Sequence, residues 1–260
     1  MSIALQVALV MVTILVVLLV IGAPIGVAIG MSSAVSMICM IPADVSFATS
    51  AQRIFAGSNS FSLIAIPFFI LAGNIMNNGG IATRLVNCAK VISGRMPGAL
   101  AQSNVVANML FGAISGSGAA AAAAMGGTIG PLEEKEGYDK NYSTAVNVAS
   151  APVGMLIPPS NTMIVYSSVA GSVSIAALFM AGYIPGLLWG GAVMILAGIM
   201  AKKRGYQAEQ RVPVKVALKT FWQAIPSLLL IVIVIGGILG GIFTATEGSA
   251  IAVVYATVLS

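Results

Sequence analysis

The chain has 260 residues, of which 58% are apolar and 7% charged, with a mean hydropathy of +1.02. Twelve basic and seven acidic residues cannot cover the surface of a soluble 26.3 kDa fold, which usually devotes about 25% of its residues to charge. That balance excludes a soluble domain, a disordered chain and, despite a pI near 9.4, a nucleic-acid binder.

Residues 3–21 carry no charge and suffice for a helix of about 28 Å at ~1.5 Å per residue. Gly22-Ala23-Pro24 makes a turn, and 25–41 reads as a second span closed by Pro42 and Asp44. Residues 43–60 are mixed and read as interfacial, so 1–60 forms an N-terminal, scaffold-like region. A third span covers 61–76 and ends by turn chemistry at Asn77-Asn78-Gly79-Gly80. Residues 81–97, with Arg84, Lys90 and Arg95, read as a surface connecting helix that completes a second region, 61–97.

The charge-free window 98–132 is interrupted by Ser115-Gly116-Ser117-Gly118. Neither arm comfortably spans a ~30 Å core, so a re-entrant helical hairpin fits best. A polar loop, 133–140, follows. Residues 141–157 and 162–171 then read as two halves of one discontinuous helix, interrupted at Pro158-Pro159-Ser160-Asn161. The hairpin and broken helix define a region 98–174, and later spans at 175–201, 221–243 and 247–260 fall in a region 175–260. Between the first two of these, 202–219 holds Lys202, Lys203, Arg204, Arg211, Lys215 and Lys219 against Glu209; six minus one is the whole net +5. A basic excess confined to one short loop marks the cytoplasmic side. The fold class is an all-α polytopic membrane protein.

Histidine is absent, and the two cysteines, Cys39 and Cys88, form no disulfide framework or metal spacing. Ionisable groups are nearly absent from the spans, with only Glu247 close to one. Proton relays and intramembrane aspartyl, serine and zinc proteases therefore lack their residues, and no catalytic residue, enzyme activity or cofactor is expected. What remains is polar but neutral. Pro158 and Pro159 lack N–H groups, which frees carbonyls in the preceding turn. With the C-terminal end of one half-helix and nearby Ser and Thr hydroxyls they make a hard-oxygen set suited to Na⁺, while the N-terminus of the other half-helix offers N–H groups to an anion. Asn104, Asn108, Asn147 and Ser150 either line the same cavity or tie helices together. Gly112, Gly116 and the run Ala119 to Ala124 also suit plain close helix packing.

Ala65-Ile66-Pro67-Phe68-Phe69-Ile70-Leu71-Ala72-Gly73, Leu110-Phe111-Gly112-Ala113-Ile114-Ser115-Gly116-Ser117 and Leu156-Ile157-Pro158-Pro159-Ser160 stand in order along the chain, with Gly241-Ile242-Phe243-Thr244-Ala245-Thr246-Glu247 later. Together they resemble the large membrane (M, DctM-type) subunit of tripartite ATP-independent periplasmic (TRAP) transporters. The resemblance implies an elevator-type, sodium-coupled symporter in the bacterial inner membrane, with Na⁺ as coupling ion and no other metal. It also implies a carboxylate-bearing substrate of the sialic acid or C4-dicarboxylate class, a periplasmic substrate-binding protein, a small membrane subunit and a lipid bilayer as partners. Carried over, Ser115, Gly116, Ser117, Gly118, Pro158, Pro159, Ser160, Asn161 and Thr162 form a sodium site. Asn108, Ser117, Asn147, Ser150, Ser160 and Asn161 line the substrate cavity. Ser160-Asn161-Thr162 also resembles the Ser-Asn-Thr motif of dicarboxylate–sodium symporters. The family's large subunit has two inverted halves, and this sequence is expected to be the first half plus the start of the second. A passive channel and a structural membrane scaffold are the alternative functions.

Overall fold

The structure, a computed structural model, describes residues 3–171, 173–206, 208 and 213–260. Every regular element among them is helical. The chain divides into two compact units, Met1–Ser60 and Phe61–Ser260.

The first unit holds α1 (Ile3–Val20), α2 (Ile25–Ile38) and α3 (Ala43–Ser58). No residue of α1 is buried, as suits an apolar helix that faces lipid. The span expected over 25–41 is shorter in the structure. α2 stops at Ile38, leaving a 14-residue helix of about 21 Å, because the chain turns at Cys39 to Ile41 before Pro42 opens α3. Ser46 Oγ donates to the Ala34 carbonyl at 2.8 Å and ties α3 to α2.

The second unit begins with a 3₁₀ turn, Phe61–Ile64, running into α4 (Ala65–Asn78). α5 (Ile81–Ser93) is more than a surface connector. Ile81, Ala82, Leu85, Val86, Cys88 and Ala89 are buried along one stripe at helical spacing, facing α6 and α13. The hairpin is α6 (Ala99–Ser115) and α7 (Gly118–Thr128), continued by the short α8 (Gly130–Lys135).

The discontinuous helix comprises α9 (Lys140–Ser150), α10 (Val153–Leu156) and α11 (Asn161–Ala170), with a 47° bend across the Pro158–Ser160 break. Its first half also deviates at Pro152, a break absent from the sequence-based expectation. α12 (Ile175–Lys203) passes through Pro185 without ending, and α13 (Val214–Leu239) through Pro226. Lys215 and Lys219 thus sit on α13 rather than in a loop, while Glu209 and Arg211 lie outside the described residues. α14 (Ala245–Leu259) opens with a capping box in which Thr244 Oγ1 accepts from the Glu247 N–H and the Glu247 carboxylate accepts from the Thr244 N–H.

Among the described residues, four helical segments are long and apolar enough to cross a membrane, at Ile3–Val20, Phe61–Asn78, Ile175–Lys203 and Val214–Leu239, and the bent pair makes a fifth. The core of the second unit gathers Phe69, Met76, Leu85, Phe111, Met125, Ile164, Phe179 and Leu230 around the hairpin.

Candidate functional site

Both helix interruptions are built the same way. At the hairpin tip, α6 ends on Gly116 in the left-handed region (φ 63°), and Ser117 opens α7 as an extended N-cap, its Oγ accepting from the Ala120 N–H at 3.3 Å. In the broken helix, Ser160 opens α11 in nearly the same extended conformation, its Oγ accepting from the Met163 N–H at 3.4 Å. Two helix N-termini are thereby presented at interruptions separated by more than forty residues of sequence.

The two interruptions meet. The Gly116 carbonyl accepts from the Asn161 backbone N–H at 3.2 Å, and the Ser115 carbonyl accepts from Asn161 Nδ2 at 3.4 Å. A Cβ on Gly116 would lie 2.9 Å from the Pro159 carbonyl oxygen and 3.1 Å from the Asn161 nitrogen, so the contact needs glycine for space as well as for φ. One helical step further down, Gly112 and Gly154 cross with their backbones in direct contact. Of the residues assigned to the sodium site from sequence, Ser115, Gly116, Gly118, Pro158, Pro159 and Ser160 are buried, Ser117 and Asn161 are half-buried, and Thr162 is exposed.

The carbonyls of Ser115 and Gly116 meet Asn161 at this junction, and the hydroxyls of Ser115 and Ser117 cap the hairpin turn beside it. Asn161 Oδ1 is buried without a hydrogen-bond partner, an orphaned acceptor of the kind a small hard cation would satisfy. Two of the carbonyls at the break, that of Met155, freed by Pro159, and that of Leu156, are engaged elsewhere. Met155 O accepts from Ser160 Oγ at 2.5 Å, and Leu156 O packs against Gly182 of α12.

The residues assigned to the substrate cavity separate into two groups. Ser117, Ser160 and Asn161 stand at the junction. Asn108, Asn147 and Ser150 instead form a hydrogen-bonded cluster two helical turns down α6. Asn108 Nδ2 reaches Asn104 Oδ1 at 2.9 Å, Asn147 Oδ1 at 2.9 Å and Ser150 Oγ at 2.8 Å, and Asn147 Nδ2 donates to Ala122 O at 2.9 Å. Of the two sequence-based readings of this quartet, interhelical bonding describes Asn108, Asn147 and Ser150, which join α6 to α9. A separate cleft of about 260 Å³ opens beside the hairpin tip, where Asn74 and Asn77 of α4 face Ser115 and Ser117. The sequence reading leaves Asn74 unmentioned and takes Asn77 only as turn chemistry, whereas the structure keeps both on α4, where polar residues at i and i+3 on an otherwise apolar helix are the visible signal.

Near-absence of buried charge also needs correcting. Glu133, read from sequence as part of a polar loop, is fully buried on α8 beside a cavity of about 350 Å³ between the hairpin base and α9. Burial pushes its carboxyl up to about 7, against smaller opposing pulls from Ser143 and Asn104, neither of which closes a hydrogen bond to it. Glu247, flagged from sequence, is an exposed helix cap instead.

Where the discontinuous helix begins, Asp139 caps α9 by accepting from the Tyr142 N–H at 2.9 Å and pairs with Arg204 at 3.1 Å. The Tyr142 N–H, then Arg204, hold the Asp139 carboxyl below the usual range, although it is solvent-exposed. Tyr138 stacks on Tyr206 with centroids 4.3 Å apart, and Tyr142 donates to the Ala197 carbonyl at 2.8 Å. These contacts fasten the first half of the broken helix to the end of α12.

An all-α polytopic membrane protein whose helical hairpin and discontinuous helix are joined at their interruptions is what this architecture defines. A family model described as "Tripartite ATP-independent periplasmic transporter, DctM component" matches residues 12–260, and the chain belongs to that family. It is 54% identical over 88% of its length to the uncharacterized protein YgiK of Salmonella typhimurium, covering 53% of that protein. It is 40% identical over 81% of its length to the sialic acid TRAP transporter large permease protein SiaM of Vibrio cholerae, covering 49%. To the C4-dicarboxylate TRAP transporter large permease protein DctM of Rhodobacter capsulatus it is 38% identical over 82%, covering 51%. The chain thus spans about half the length of these relatives.

Proposed function

We propose that the chain is part of the membrane permease of a sodium-coupled secondary transporter for organic acid anions of the sialic acid or C4-dicarboxylate class. The transporter sits in the bacterial inner membrane, pairs with a small membrane subunit and takes its substrate from a periplasmic binding protein. Region 98–174 moves as the elevator, and 1–60 belongs to the scaffold. Family membership and the substrates named for the relatives support this reading.

One observation carries it: the Gly116 carbonyl and the Asn161 N–H join the hairpin tip to the helix break. Na⁺ sits among Ser115 to Gly118 and Pro158 to Thr162, where carbonyl and hydroxyl oxygens and the orphaned Asn161 Oδ1 replace its hydration shell. The ion locks the two interruptions together and so completes one wall of the substrate site. The N-terminus of α7 or α11 then offers N–H groups to the substrate carboxylate.

Uptake by the complete transporter, reconstituted in proteoliposomes with its binding protein, tests this. Accumulation should require an inward Na⁺ gradient and should stop when the binding protein is omitted. Uptake driven by a proton gradient in sodium-free buffer would overturn it.

A further inference from the structure

Glu133 has an environment that the sodium junction does not account for. Its carboxylate is fully buried, and Oε1 and Oε2 both lack a hydrogen-bond partner. Two neighbouring groups are in the same condition: Asn104 Nδ2 on α6 and Ser143 Oγ on α9 are buried and unpartnered. All three line the cavity of about 350 Å³ at the hairpin base.

The charged and titratable groups facing it are few. From α8 comes Glu134, from the connecting loop Tyr138, and from α9 Lys140 and Tyr142. Glu134 and Lys140 are exposed, and Lys140 forms no ion pair with Glu133. α6 and α7 contribute only the neutral Asn104 and Gly126, with Asn147 beside Ser143 on α9.

An ionised carboxylate in this position forfeits its hydration with no ion pair to replace it, and such groups neutralise themselves instead. Neutralisation could come from a metal ion or a proton, and the surroundings favour the proton. Among the described residues no group of three or more His, Cys, Asp or Glu side chains could hold a metal ion. The neighbouring amide, Asn104, presents its Nδ2 donor rather than an oxygen that could ligate a cation. A neutral carboxylic acid is one donor and one acceptor. Its hydroxyl can donate to Ser143 Oγ while its carbonyl accepts from Asn104 Nδ2, which satisfies all three orphaned groups together.

We infer that Glu133 is a proton-binding site at the base of the hairpin, distinct from the junction of hairpin tip and helix break, with Ser143 and Asn104 as its neutral partners. The binding step moves one proton from solvent, through the cavity, to a Glu133 carboxylate oxygen, and no other bond changes. Proton binding itself does not depend on the sodium-coupled reading.

The test is infrared difference spectroscopy of the purified protein across a pH titration, with no substrate and no transport. A protonated-carboxyl C=O band should be present in mildly acidic buffer and disappear with a midpoint near neutrality. It should be missing from Glu133→Gln and retained in Glu134→Gln. Asn104→Ala, which removes a donor that favours the ionised form, should move the midpoint to higher pH. A band that survives Glu133→Gln, a midpoint in the ordinary carboxylate range, or loss of the band on adding Na⁺ at fixed pH would each overturn the assignment. None of these outcomes bears on whether uptake requires sodium.

Discussion

Replacing Gly116 by Ala perturbs the contact that joins the two interruptions, and the structure supplies both the magnitude and its control. Two costs combine. Gly116 has φ 63°, and a residue with a Cβ loses about 1–2 kcal/mol in the left-handed region. The added Cβ would also stand 2.9 Å from Pro159 O and 3.1 Å from Asn161 N, backbone atoms that cannot swing aside as a side chain can. Overpacking of this kind costs roughly 1–3 kcal/mol. Gly116→Ala should therefore destabilise by about 2–5 kcal/mol. Gly137 is the matched control, since its φ is 78° but nothing lies within 4 Å of an added Cβ, so Gly137→Ala carries the backbone cost alone. Thermal unfolding in detergent reads the difference, at roughly 2–4 °C per kcal/mol for a chain of this size. If Gly116→Ala loses no more stability than Gly137→Ala, the tip and the break are not packed as described.

Further substitutions probe other parts of the account. Asn108→Ala removes the donor to Asn104 Oδ1 and Asn147 Oδ1 in a buried setting and should cost about 1–3 kcal/mol in chemical or thermal denaturation. Gly154→Val forces α10 off Gly112, and loss of the folded protein in size-exclusion chromatography is expected, whereas Gly127→Val meets nothing within 4 Å and should be tolerated. Because the folded Glu133 carboxyl lies above its ordinary value of 4.5, its contribution to stability is complete below 4.5 and is lost as pH rises through about 7. That contribution is on the order of 3 kcal/mol, so the melting temperature should fall across this window in the wild type and fall less in Glu133→Gln. Asp139 works in the opposite sense. Its lowered folded value adds stability above the ordinary aspartate range that disappears as pH falls through the folded value, and Asp139→Asn should flatten that acid limb.

How much of this was legible in the sequence follows from how local each cause is. The hairpin turn and the helix break are written in adjacent residues. Ser115-Gly116-Ser117-Gly118 supplies a left-handed C-cap followed by a serine N-cap, and Pro158-Pro159 removes two successive N–H donors before Ser160 restarts the helix. That the interruptions share one site is implied by the family resemblance alone, and their contact depends on Gly112 and Gly154 letting α6 and α10 close. Pro152 goes unread because the Ser150–Pro152 bend sits inside a window without charge and close to the stronger Pro158-Pro159 signal. Glu133 was hidden for another reason. In the run Glu133-Glu134-Lys135-Glu136, nothing local says which acid turns inward, and only the seating of α8 against α9 buries the first. The Asn108 cluster joins residues 39 and 42 positions apart, a separation across which periodicity carries no information.

The central claim is that the joined interruptions hold the coupling ion. The most direct measurement is the Na⁺ concentration giving half-maximal uptake in proteoliposomes containing the complete transporter, compared between wild type and Asn161→Ala. Removing the orphaned Oδ1 should raise that concentration several-fold while leaving the order of substrate preference unchanged. An unchanged sodium dependence in an otherwise active Asn161→Ala transporter would contradict the claim.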